Sequence, residues 1–156
     1  MATVELVNVW KKYGHVVAVE DVSWRCEDGE FFSILGPSGC GKSSTLRMVA
    51  GLEKVTAGDI YMDGRCVTHM PPRERNVAMV FETWALYPNM SVYDNIAFPL
   101  WVRKMPKHEI DSRVRRAAEF LHLTDILHSG VRGLSGGQKQ RVSIGRAIVR
   151  EPNVLI

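Results

Sequence analysis

From residue 36 to residue 43 the chain reads Gly36-Pro37-Ser38-Gly39-Cys40-Gly41-Lys42-Ser43. This is the G-x-x-x-x-G-K-[ST] pattern, and each residue type in it suits the handling of phosphate. Gly36, Gly39 and Gly41 let the backbone turn tightly and aim its N–H groups at phosphate oxygens. Lys42 brings a full positive charge on a flexible stem, and the Ser43 hydroxyl is a ligand for a divalent cation. The flanks agree with that chemistry. Phe31-Phe32-Ser33-Ile34-Leu35 is an apolar run that reads as a buried strand, and Ser44 to Ala50 reads as a helix. A helix starting near Lys42 adds the partial positive charge of its N-terminus.

Three further features bear on the same chemistry. Leu134-Ser135-Gly136-Gly137-Gln138 precedes a helical stretch from Lys139 to Arg150 that stops before Pro152. Ser135 is a good helix N-cap, and the two glycines leave backbone N–H groups open at a second helix N-terminus. Such a pair of anion sites either grips one ligand together or lends one site to a neighbouring molecule. Glu82 ends the apolar run Asn76 to Phe81. It is either a carboxylate for the Mg²⁺ shell or a loop residue after a strand. Tyr13 is either a ring that stacks on a base or a half-buried strand-end aromatic.

Bulk properties narrow the class. The 156 residues carry 20 Lys and Arg against 17 Asp and Glu, so the net charge of +3 permits an anionic ligand without marking a nucleic-acid stripe. Cys26, Cys40 and Cys66 form no C-x-x-C pair and suit free thiols in a reducing compartment. The five histidines lack metal-ligand spacing. No apolar run approaches the ~20 residues of a membrane-spanning helix.

The elements that position these residues follow from patterning. Val4 to Val9 and Val16 to Cys26 read as strands in an antiparallel opening, joined by a turn at Lys11 to Gly14. Glu27 to Glu30 is a hairpin turn into the strand that feeds the phosphate loop. Gly58 to Gly64 is a short strand ending in an Asp-Gly turn, and Asn76 to Phe81 is a further buried strand. Trp84 to Leu100 is aromatic and apolar, a surface for a partner or a segment packed under the helices that follow. Lys107 to Leu123 is an amphipathic helix with Ile110, Val114, Ala117, Ala118 and Leu121 on one face and Arg113, Arg115 and Arg116 solvated.

The Gly36–Ser43 loop and the Leu134–Gln138 pentapeptide, in this order and separated by a helical insert, resemble the Walker A loop and the signature of ATP-binding cassette (ABC) transporter nucleotide-binding subunits. The resemblance covers the whole chain. Met79-Val80-Phe81, Ala85-Leu86-Tyr87-Pro88 and Gly145 to Pro152 look most like maltose-type sugar-importer ATPases, with importers for glycerol phosphate, polyamines and iron close behind. It implies an α/β fold: a P-loop NTPase core with an N-terminal antiparallel β subdomain and a helical insert at roughly 91–129, one ABC ATPase domain over 1–156. It implies ATP and Mg²⁺ as cofactors. Tyr13, Gly36, Ser38, Gly39, Cys40, Gly41, Lys42, Ser43 and Ser44 would contact nucleotide from one subunit, and Ser135, Gly136, Gly137 and Gln138 from a second, in a homodimer or a pair of ABC subunits. Ser43 and Glu82 would ligate the metal, and Lys42 and Glu82 would take part in catalysis. Implied partners are integral-membrane permease subunits, reached through the 84–100 region, and, at one remove, a solute-binding protein; nucleic acid is not among them. The implied place is the cytoplasmic face of the plasma membrane, peripherally bound.

Two departures qualify the resemblance. The family usually has Gln where this chain has Glu82, and a carboxylate adds negative charge beside a triphosphate. Val154-Leu155-Ile156 looks like the start of the Walker B strand, and the Asp and Glu expected after it are not in the chain. The expectation is an ATPase subunit of an importer, seen as a C-terminally truncated piece. The alternatives are a nucleotide-binding fragment without turnover and an ABC ATPase acting on nucleic acid or ribosomes. The transported solute leaves no mark in these residues.

Overall fold

The computed structural model describes residues 2–156. The chain divides into two compact units, residues 2–77 and residues 78–155.

The first unit is built on a four-stranded antiparallel sheet. Strands β1 (Val4–Tyr13), β2 (Val16–Cys26), β3 (Ala57–Met62) and β4 (Arg65–Cys66) lie in the order β2-β1-β3-β4. Alternation puts Val4 and Leu6 of β1 into the core with Ile60 and Met62 of β3. The next buried position is Val9, out of step by one residue, and the register to β2 shifts between Leu6 and Val9. The bulge falls at Asn8, whose φ is 48°, opposite Asp21 at 44°. Asn8 Nδ2 donates to Asp21 Oδ1 at 2.9 Å, which ties the two left-handed residues together. The bulge carries β1 further than the predicted end at Val9, so Lys11 and Tyr13 lie on a strand and the turn is at Gly14-His15.

Helix α1 (Lys42–Val49) buries Thr45, Met48 and Val49. Its C-terminal end is closed by Arg75, a residue 5% exposed. The Arg75 guanidinium donates to the carbonyls of Met48 at 2.7 Å, Val49 at 2.9 Å, Thr68 at 3.0 Å and Met70 at 2.8 Å. A cation at this end also complements the helix dipole.

The expected strand at Phe31–Leu35 is corrected by the structure. No strand pairs with this run among the described residues, and Phe31 and Leu35 are 94% and 88% exposed. Phe32 stacks on Trp24 of β2 with centroids 4.6 Å apart. A central parallel strand needs hydrogen-bonded neighbours and covered faces, and apolar composition alone does not supply them. The expected strand from Asn76 to Phe81 likewise shortens to β5, Val77–Ala78, and the last residues give the two-residue β6, Val154–Leu155.

The second unit is helical. Helices α2 (Val92–Val102), α3 (Lys107–Phe120) and α4 (Gly136–Ile148) pack around Val92, Ile96, Leu100, Ile110, Val114, Ala118, Leu123 and Val142. Each buried Val, Leu or Ile side chain among these contributes about 1.5–3 kcal/mol, so Leu100→Ala removes a sizeable part of the core. Ser91 caps α2 through a capping box with Asp94. Within α2, Asn95 is fully buried and its amide serves the backbone of Tyr87 and Ser91, fixing the loop before the helix. A Cβ on Gly145 would stand 3.2 Å from Ile96 and Leu121, so the glycine lets α4 approach closely. The amphipathic reading of α3 holds on its apolar face. The helix stops at Phe120, and His122 follows in a left-handed conformation at φ 52°. Arg113 and Arg116 pair with Glu151, and Arg115 with Asp111.

Candidate functional site: a phosphate loop and a capped signature turn

In the first unit the phosphate loop runs directly into α1. Gly41 is the N-cap at φ 89°, and no side chain caps the helix, so its first-turn N–H groups are left for another acceptor. A Cβ at Gly41 would stand 2.2 Å from the Ala18 carbonyl oxygen of β2, so both the backbone angle and the space demand glycine. Thr45 locks the turn from inside, its N and Oγ1 both donating to the Gly41 carbonyl at 2.8 and 3.0 Å. Ser38, Gly39, Cys40 and Ser43 are exposed on the loop, with Ser44 half-buried behind them.

Lys42 folds back over this loop. Its Nζ donates to the carbonyls of Gly36 at 2.7 Å and Pro37 at 2.6 Å and lies 3.5 Å from Cys40 Sγ. The cation therefore rests on the carbonyls of its own turn, next to the uncapped first turn of α1. Such an arrangement can cradle a polyphosphate between main-chain dipoles and one mobile charge.

Tyr13 reaches the same place from β1. Its hydroxyl is 3.4 Å from Ser44 Oγ, and its ring is 44% exposed. Lys11 Nζ lies 4.6 Å from the ring centroid, pairs with Glu53 at 3.0 Å and donates to the Lys54 carbonyl at 2.7 Å. Glu53 is held below the usual carboxylate range, first by the Lys11 ammonium and then by the Tyr13 hydroxyl. Tyr13 is thus a braced aromatic beside a phosphate loop. No spacing rule marks Lys11 and Glu53 as its braces.

In the second unit Ser135 caps α4 through a capping box. Its Oγ accepts from Gln138 N at 3.3 Å, and Gln138 Oε1 accepts from Ser135 N at 2.9 Å. Helix α4 therefore starts at Gly136, earlier than the Lys139 expected from patterning, and the Gln138 side chain is engaged in the cap. Gly136 and Gly137 keep their N–H groups at the first turn. A Cβ on Gly137 would meet nothing within 4 Å, whereas one on Gly136 would lie 3.8 Å from Trp84 Cζ2. Glu82 is exposed at the turn where Trp84 N bonds to the Phe81 carbonyl. Tyr13 and residues 36–44 thus come together in one unit, and Ser135–Gln138 and the turn after Glu82 come together in the other. Sequence reasoning missed Arg146 and Ser143, which tie that turn to α4.

The donor set suits a nucleotide with its metal. Unspent helix N–H groups, Lys42 and the Ser43 hydroxyl offer phosphate and Mg²⁺ the partners they need. Among the described residues no cluster of three His, Cys, Asp or Glu could hold a metal ion alone. A cation carried by the phosphates, with few protein ligands, fits that arrangement.

A glycine-rich loop feeding a helix beside a braced aromatic in one unit, and a second glycine-rich helix start in the other, are features that suit phosphate binding. The family profile described as ABC transporter matches residues 19–156, and the chain belongs to that family. It is 56% identical over its full length to the trehalose/maltose import ATP-binding protein MalK of Thermococcus litoralis, covering 44% of that protein. It is 55% identical to the sn-glycerol-3-phosphate import ATP-binding protein UgpC of Cupriavidus pinatubonensis, covering 42% of it. It is 52% identical to the oligosaccharides import ATP-binding protein MsmX of Bacillus subtilis, covering 43% of it. The chain thus spans less than half the length of these relatives. Among solved structures, a nucleotide-free ATP-binding cassette from an ABC transporter superposes with a TM-score of 0.86 at 26% identity, over 99% of this chain and 68% of the other. A dimeric post-hydrolysis cassette bound to ADP and phosphate gives 0.86 at 32% identity, over 97% and 72%. No helix of the described residues is long and apolar enough to cross a membrane.

Proposed function

We propose that this chain is the nucleotide-binding part of an ATPase subunit that powers an ABC importer for sugars or related small solutes. The observation that carries the reading is the Gly41–Lys42 junction, where an uncapped helix start, a glycine with no room for a side chain and a folded-back lysine converge. Gly36 to Ser44 hold the phosphates of ATP, and Tyr13 stacks on the base. Mg²⁺ neutralises developing charge on the phosphates when bound. Ser43 supplies one of its ligands, and Glu82 supplies a carboxylate where the family has an amide. Ser135, Gly136 and Gly137 offer their helix start to the nucleotide of a second copy or a paired ABC subunit. Support comes from the open N–H groups of Gly136 and Gly137 and from the dimeric state of the cassette with ADP and phosphate.

Hydrolysis and transport are proposed of the whole protein, since the matched relatives are more than twice as long. The 84–100 region borders the place where membrane permease subunits dock, and a solute-binding protein acts through those subunits. The protein then works at the cytoplasmic face of the membrane without spanning it.

The test is phosphate release by the intact protein carrying Gly137→Asp. The site has room, and an acid at a helix N-terminus suits the dipole, so folding is preserved. The added carboxylate repels phosphate from the second copy. The expected result is loss of turnover with nucleotide binding to Gly36–Ser44 retained. Turnover equal to the parent protein would contradict the shared site.

A further inference from the structure

The turn after Glu82 is pinned to α4 by side chains that the nucleotide reading leaves unused. Arg146 Nη1 donates to the Ala85 carbonyl at 2.6 Å, and Nη2 donates to the Trp84 carbonyl at 2.9 Å. Ser143 is buried and donates its Oγ to the same Trp84 carbonyl at 3.0 Å. The tethered residues are strained: φ is 57° at Trp84 and 46° at Ala85. A bulky side chain in the left-handed region persists only where its surroundings hold it there. What this conformation achieves is visible at the other end of the indole. Trp84 Cζ2 lies against Gly136, 3.8 Å from where a Cβ would stand, and Lys139 Nζ is 5.4 Å from the ring centroid. The Tyr87 ring packs on the Arg146 guanidinium at 5.4 Å.

We infer that Arg146, assisted by Ser143, is a positioning residue that fixes the signature turn Ser135-Gly136-Gly137 relative to Glu82. It holds Trp84-Ala85 left-handed, the indole therefore rests on the first turn of α4, and the two segments move as one body. The inference deepens the proposed function, since it rests on Gly136 and Gly137 receiving phosphate. The residue type matters: a planar guanidinium spans two consecutive carbonyls at fixed spacing, whereas an ammonium is a compact point charge. A shift of a phosphate-binding turn by one ångström is enough to cost catalysis heavily without removing any contact to the base.

The experiment uses the intact protein labelled with 5-fluorotryptophan, the Trp84 resonance being assigned through Trp84→Phe. Arg146→Ala, Arg146→Lys and Ser143→Ala are compared for the Trp84 fluorine resonance and for kcat and KM of ATP hydrolysis. The expected result for Arg146→Ala is a Trp84 resonance moved toward the solvent-exposed value, with kcat down about tenfold and KM for ATP within about twofold. Arg146→Lys recovers part of kcat, and Ser143→Ala gives a smaller loss of the same kind. An unmoved Trp84 resonance in Arg146→Ala overturns the inference, as does a KM that rises in step with the loss of kcat. If Arg146→Ala does not fold, Ser143→Ala and Arg146→Lys decide, and parent-like values of both overturn the tether. Absence of turnover in the parent protein would strike the proposed function instead, and the Trp84 resonance would still decide whether Arg146 holds the turn.

Discussion

The Tyr13 hydroxyl lies 3.4 Å from Ser44 Oγ and so joins strand β1 to the first turn of the helix that ends the phosphate loop. The contact depends on the bulge at Asn8, which sets the register that brings Lys11 and Tyr13 to the end of β1 beside α1. Base stacking on an aromatic ring contributes about 1–3 kcal/mol. Tyr13→Ala is therefore expected to weaken ATP binding about tenfold, and Tyr13→Trp to keep it, as read by titration with a fluorescent nucleotide analogue. Equal affinity for Tyr13→Ala would mean that the ring only packs.

The brace of that ring makes stability depend on pH. Lys11 and the Tyr13 hydroxyl hold the Glu53 carboxyl below its ordinary value. The folded state then binds fewer protons than the unfolded state through the carboxylate range. Its contribution is full above the unfolded pKa and is lost as pH falls through the folded one. Glu53→Gln should lower stability by about 1 kcal/mol at neutral pH and by progressively less in acid, as measured by urea unfolding at several pH values. A difference constant with pH would show that Glu53 acts through packing alone.

Arg75 offers a harder test of the first unit. Its guanidinium serves four main-chain carbonyls and closes α1, and burial pushes its pKa below the usual arginine value. Arg75→Met keeps the apolar stem and leaves those carbonyls without their donor. A loss of about 3 kcal/mol or more is expected from chemical denaturation, because orphaned buried acceptors cost more than the bonds themselves contribute. A loss under about 1 kcal/mol would mean that water replaces the guanidinium.

Much of this site is legible in the sequence because it is local. The glycine-lysine loop, the Ser135 cap and the apolar face of α3 are each set by residues within one or two helical turns. The misreadings come where distant residues decide. Phe31–Leu35 has a strand's composition, but a strand exists only with neighbours, and none pairs with it among the described residues. The slip at Asn8 depends on Asp21 across the sheet and on Gly58, whose missing Cβ lets β3 lie against the Asn8 carbonyl. Lys11, Arg75 and Arg146 are long cations, a residue type found mostly exposed. Each is turned inward by carbonyls that no periodicity reveals. Glu82 is legible as a departure from its family but not as a partner of anything, since its role depends on groups beyond its own turn.

In the proposed function Gly36 to Ser44 bind the phosphates of ATP through Lys42. Calorimetric titration of Mg²⁺-ATP into the intact protein and into Lys42→Ala tests it most directly. Among the described residues Lys42 Nζ bonds to the Gly36 and Pro37 carbonyls and lies near Cys40, all within its own loop, so its removal is expected to leave the fold in place. Saturable binding to the parent protein is expected, with a loss of about a hundredfold or more in Lys42→Ala at unchanged thermal stability without nucleotide. Binding of equal strength in both proteins would contradict it.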